Sequence, residues 1–221
     1  MNLNVLFVIL SMFLVFVGRA DSAHRTDTNT SPLVTREIFQ KAIEKAGYGM
    51  STYQQYKPLV VTAQSKAKIS SMRELAMFIA NVLQGTDGLW TTDGTSWSGA
   101  PDPAHPNRDY HARGYLMMRG FPLYKEVSKG LYGDDRLVKN PALVTKNPAA
   151  WDTAYWIWAN KVHNRPGIAE GKFGVSRKIL SDDRDCGSNA VDRDHATESF
   201  QFYSALLSVF EPTSKPDKSG C

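Results

Sequence analysis

Metal-site spacing is absent from this chain: its five histidines, His24, His105, His111, His163 and His195, fall at no separation suited to a shared ion. Neither a Gly-x-Ser-x-Gly nucleophile elbow nor a phosphate-cradling glycine loop occurs, so no metal and no cofactor is expected. A strong charge of either sign is lacking too. The 26 basic and 22 acidic residues leave a net charge of +4, which makes no case for nucleic acid or an anionic membrane and suits a neutral polysaccharide equally well. Long apolar runs are missing except near the start, from Val5 to Val17, and that run is shorter than the ~20 residues a membrane helix needs. Cysteine is scarce, with only Cys186 and Cys221.

The one apolar run is followed by Gly18-Arg19-Ala20, whose small residues suit a signal peptidase. Residues 1–20 therefore read as a cleaved secretory signal, with an uncleaved anchor as the alternative. The mature protein is expected to be soluble, extracellular and monomeric. Residues 21–34, polar and threonine-rich, read as a flexible leader; they hold the sequon Asn29-Thr30-Ser31, followed by Pro32. Residues 35–221 suffice for one domain with a sizeable core. In an oxidising compartment an even pair of cysteines is most simply a disulfide, with two free thiols or a bridge to a second chain as alternatives.

Helical periodicity dominates what remains. Ile38, Phe39, Ala42, Ile43 and Ala46 mark a first helix from about Thr35 to Ala46, ended by Gly47 and Gly49. Residues 48–69 read as a connecting segment around Pro58. Ser71, with Glu74 three residues on, makes a capping box for a second helix whose stripe is Leu75, Phe78, Ile79, Val82 and Leu83. Residues 90–107 have no period and read as an irregular loop. Residues 110–124 read as a turn with at most a short strand pair, and Pro141 to Val144 as a short turn or helix start. A helix from Asn147 to Val162 would bury Trp151, Ala154, Tyr155 and Trp158. Further helices lie near Ile168–Leu180 and Asn189–Phe210. The class is mainly α, with Phe78, Ile79, Trp151 and Trp158 in one core.

Four pieces in fixed order carry more. They are Tyr110-His111-Ala112-Arg113-Gly114, Phe121-Pro122-Leu123-Tyr124, the run from Leu137 through Asn140-Pro141 to Val144, and Ala154-Tyr155-Trp156-Ile157-Trp158. Together they resemble the central segment of family 19 glycoside hydrolases, the plant-type chitinases. The resemblance spans roughly Thr35 to Cys221. It implies a two-lobed, lysozyme-like fold with a cleft between the lobes, and hydrolysis of β-1,4-linked N-acetylglucosamine polymers. It also implies a Cys186–Cys221 disulfide, because the family ties the cysteine of a Glu-Cys-Gly turn, here Asp185-Cys186-Gly187, to one near the C-terminus.

The catalytic groups of that family are not at their places. Inverting glycosidases need a protonated carboxyl and a second carboxylate about 6.5–9.5 Å away. The family's acid is the glutamate of His-Glu-Thr-Thr-Gly-Gly-Trp, and the matching run here is Gln84-Gly85-Thr86-Asp87-Gly88-Leu89-Trp90, so the acid's position is Gly85. No glutamate lies between Glu74 and Glu126, leaving Asp87, Asp93, Asp102 and Asp109. Asp87 is the fallback acid, though it reads more simply as a turn aspartate. The family's water- and sugar-holding polar residues fall on Met117, Arg119 and Ser181, and its buried arginine on Ser199. Trp90, Trp97 and Tyr110 are candidate sugar faces, whereas Trp151, Trp156 and Trp158 at helical spacing read as core. His111 stands where the family has a tyrosine and reads as a solvated or core histidine; Asp182-Asp183-Arg184-Asp185 reads as a solvated charged turn. The expectation is a chitinase-like protein that binds chitin or N-acetylglucosamine oligosaccharides with hydrolysis weak or lost. The alternatives are an active chitinase using Asp87 and a secreted scaffold with no sugar ligand.

Overall fold

Helix α1 (Arg36–Lys45) starts where the sequence places it: the Thr35 hydroxyl accepts the Ile38 N–H, and Phe39, Ala42 and Ile43 are buried. The computed structural model describes residues 31–94, 109–187 and 190–221; the expected signal, most of the leader, and Trp97 lie outside them. After α1 come α2 (Met50–Tyr53), α3 (Ala63–Lys66), α4 (Met72–Thr86), α5 (Phe121–Tyr132), α6 (Arg136–Lys139), α7 (Ala149–Ile157), α8 (Phe173–Ser181) and α9 (Ala190–Phe210). Short π-helical stretches lead into α3 (Lys57–Thr62) and prolong α7 (Trp158–Val162), while Pro141–Thr145 and Arg184–Cys186 are 3-10 turns. Among the described residues extended pairing is limited to isolated bridges, and no helix is long and apolar enough to cross a membrane. The mainly α class stands.

Helix α4 organises the rest. Every residue from Glu74 to Leu83 is buried, the pattern of a helix enclosed by protein rather than laid on a surface. It packs against α9 and α8, and α9 also packs on α1. Trp158, fully buried, meets Phe78 edge-on with ring centroids 5.3 Å apart, and Ile79 and Trp151 belong to the same core as expected. The capping box at the start of α4 is only half formed. Ser71 Oγ accepts the Glu74 N–H at 3.1 Å, but the Glu74 carboxylate turns inward. It accepts Trp158 Nε1–H at 2.9 Å, His163 Nδ1 at 2.7 Å and the Ser70 N–H at 3.3 Å. Three donors offset the cost of burying a carboxylate.

Two stretches differ from the sequence reading. Residues 48–69 are largely helical, with Leu59, Val60 and Ala63 buried; Pro58 sits at a helix start, where its missing N–H costs nothing. Likewise Pro122 lies in the first turn of α5, so the turn expected through Tyr124 ends at Gly120 (φ +80°) and a helix follows. Leu33 and Val34, grouped with the leader on sequence, are packed: Val34 is buried and its carbonyl accepts the Tyr56 hydroxyl at 2.7 Å. Cys186 and Cys221 are bonded, as expected. The disulfide holds a C-terminal tail whose Asp217 carbonyl accepts the Phe173 N–H at 2.8 Å.

Candidate functional site

Gly85 lies in the last turn of α4, and its missing side chain matters because of what faces it. A Cβ built there would stand 3.2 Å from Met117 Cγ. Across the same space, a Cβ on Gly94 would stand 3.4 Å from Met117 Sδ. Met117 therefore fills the gap between two side-chain-less walls. It is delivered by a tight turn: Arg113 and Met118 exchange both backbone hydrogen bonds, Met117 N–H bonds the Gly114 carbonyl at 3.1 Å, and Met117 takes a left-handed φ of +48°. Gly114 makes that turn possible, since a Cβ there would press on Val144 Cγ1 at 3.0 Å and Thr153 Oγ1 at 3.2 Å.

What remains beside Gly85 is a cavity of about 30 Å³ lined by Asn81, Gln84, Leu116, Arg119, Arg177 and Leu180 along with Gly85 and Met117, enough to admit a water. Among the described residues no carboxylate lines it. The buried arginine here is one that sequence reasoning missed. Arg177 donates from Nη1 to Asn81 Oδ1 at 2.8 Å and from Nε to Asp185 Oδ2 at 2.9 Å, and its Nη2 bonds Asp185 as well. Asp185 is thus buried and paired, a correction to the solvated turn expected over 182–185; Asp182 and Asp183 are exposed. The signal that could have found the pair is its setting: an arginine on α8 and an acid at the adjoining turn, with Ser199 too short to supply the cation. Ser199 is buried and bonds back to the His195 and Ala196 carbonyls.

The other expected site residues separate. Tyr110 is no sugar face: it is buried against Phe121 and Tyr124, with centroids 5.4 and 5.2 Å away. Its ring completes the core under α5, which outweighs solvent contact for so large a side chain. Ser181 is buried and accepts the Asp185 N–H at 3.2 Å, capping the 3-10 turn instead of lining the cavity. Arg119 and Met117 do line it. Trp90 is 87% exposed, presented by a turn in which Asp87, Gly88 and Leu89 all have positive φ. Asp87, exposed at the left-handed C-cap of α4, is not among the cavity residues. It lies near Tyr48, whose hydroxyl is pushed up to about 12 by burial first, then by the charges of Asp87 and Glu198. His111 is buried between Asp93 and Asp109.

No family model matches the chain, and no curated protein does. Solved structures do. A mutant of chitinase C matches with 23% identity and a TM-score of 0.62, covering 86% of this chain and 99% of that one. Chitinase C from Streptomyces griseus gives 21% identity and 0.59, covering 85% and 97%. The fold is that of the family 19 chitinases. A class IV family 19 chitinase from Zea mays is also similar, with 18% identity, a TM-score of 0.54, and 85% and 86% of the two chains covered. Gly85, where the sequence resemblance puts the proton donor, stands in the last turn of α4, and Met117 faces it from the turn after Gly114.

Proposed function

We propose that the protein is a secreted chitinase-like protein that binds chitin-type oligosaccharides and hydrolyses them at or near background. The observation that carries the reading is Met117. Its side chain packs between Gly85 and Gly94, so the proton donor's position has no carboxyl, and one placed there would press on Met117. Losing a general acid alone forfeits about 10²–10⁴-fold, and nothing among the described cavity residues replaces it. Binding is supported by the fold and by Trp90, whose exposed indole could stack on a sugar ring; secretion is supported by the apolar run from Val5 to Val17.

The test incubates purified protein with chitin beads and with a labelled chito-oligosaccharide. Retention on the beads without cleavage of the label is expected, and Trp90→Ala should weaken retention. Turnover well above background that Asp87→Asn abolishes would instead establish an active enzyme. Failure to bind either ligand would leave the chitinase fold serving as a scaffold.

A further inference from the structure

We infer that Asp93, His111 and Asp109 form a proton-dependent clamp that fixes the site wall at Gly94 and loosens as pH rises. The His111 side chain is 8% exposed, with Nδ1 2.5 Å from Asp109 Oδ2 and Nε2 2.5 Å from Asp93 Oδ1. An ionised carboxylate only accepts, so both ring nitrogens must donate, and only the imidazolium carries two N–H groups. Removing one proton leaves a single N–H for two acceptors, and one link is lost whichever tautomer remains.

The clamp sits directly behind the candidate site. The backbone of Asp93 forms an antiparallel β-bridge with that of Arg113, and Gly94 N–H bonds the carbonyl of Ala112, the neighbour of His111, at 2.9 Å. Gly94 in turn faces Met117. Among the described residues, the charged groups around the imidazole are the two aspartates and the buried Arg113, whose Nη1 donates to the Asp109 carbonyl at 2.9 Å and to the Tyr124 hydroxyl at 3.2 Å. Tyr124 donates to the His111 carbonyl at 3.0 Å. Burial first, opposed by Arg113, puts that phenol at about 12, so it stays neutral throughout. Among the described residues, two cations therefore balance two anions while His111 is protonated. With His111 neutral, one of the two carboxylates is without a donor from the ring. The family's tyrosine at this position could not serve, because a phenol has one O–H. The clamp is thus a property of this chain, and it holds whatever ligand the site takes.

Amide hydrogen exchange at Gly94 from about pH 5 to about pH 9, corrected for intrinsic rates, tests the clamp, together with nitrogen NMR of the histidine rings. Expected are a doubly protonated His111 at the acid end and a roughly tenfold loss of Gly94 protection toward the alkaline end. That loss should vanish in His111→Gln and in Asp93→Asn. The second variant, at a half-exposed residue, carries the test if the first does not fold. A singly protonated His111 at the acid end would overturn the inference, as would Gly94 protection that is flat with pH in the wild type or equally pH-dependent in Asp93→Asn.

Discussion

The packing of Met117 against Gly85 can be measured without any ligand, through a double-mutant cycle. Gly85→Glu alone should gain about 1 kcal/mol by removing a helix-interior glycine and lose about 1–3 kcal/mol by forcing a side chain into occupied space. The contact to be relieved is with the middle of the Met117 side chain, 3.2 Å from the new Cβ, so the net change is a loss of up to about 2 kcal/mol. Met117→Gly removes the obstacle and relaxes a left-handed residue (φ +48°), a strain of roughly 1 kcal/mol, against the lost packing of a half-buried thioether. If the two side chains compete for one space, the double variant is more stable than the sum of the singles predicts, by about 1–2 kcal/mol. Urea denaturation at matched m-values reads this directly. A coupling below about 0.5 kcal/mol would mean that the side chains do not meet, and the account of the filled site would fall. The double variant should still not turn over chito-oligosaccharide, because among the described residues no carboxylate lines the cavity beside position 85.

Three further outcomes follow from the same structure. Trp158→Ala should cost about 3–5 kcal/mol, because the residue is fully buried and donates to Glu74; a melting shift near zero would contradict its placement. Cys221→Ser should cost about 4 kcal/mol in the chain-entropy account for cysteines separated by 35 residues, and exchange at the Phe173 amide should rise as the tail lets go. Burial raises the Asp109 carboxyl, but hydrogen bonds from His111 outweigh it and hold it below the ordinary 3.8. Its stabilisation is therefore present above the unfolded value and lost as pH falls through the lower folded one, so Asp109→Asn should flatten the stability profile below about pH 4.

The sequence was legible where one residue's chemistry decides local structure. Ser71 announced α4 because a side-chain cap is a short-range interaction, apolar spacing announced α1, and the stripe of α4 announced the core. Residues 48–69 were misread because their helices are short, weakly capped, and held by burying Leu59, Val60 and Ala63 against distant parts of the chain; tertiary packing, invisible to periodicity over so few residues, won. Tyr110 was misread for a related reason. An aromatic beside a polar turn has no local signal for which way its ring points, and α5, itself missed behind Pro122, supplies the surface that buries it. At the site, the glycine could be read from the sequence, but the methionine that fills its space comes from a turn 32 residues away and needed coordinates.

The polar groups around Gly85 also argue against latent hydrolysis. A catalytic site keeps donors and acceptors directed at the place where charge will develop, and they stay unmatched by protein until substrate arrives. Here Asn81, Arg177, Asp185 and Ser181 bind one another. Asn81 donates to the Met77 carbonyl at 2.8 Å and to Ser176 Oγ at 3.0 Å, and accepts from Arg177. Arg177 is neutralised by Asp185, whose N–H is in turn held by Ser181. Breaking such a pair from one side costs about 3–5 kcal/mol. A sugar entering here would have to compete with that network for any hydrogen bond to Asn81 or Arg177. On the proposed reading, a carboxyl placed at position 85 would not by itself supply turnover, because Arg177 and Asn81 stay committed to these bonds.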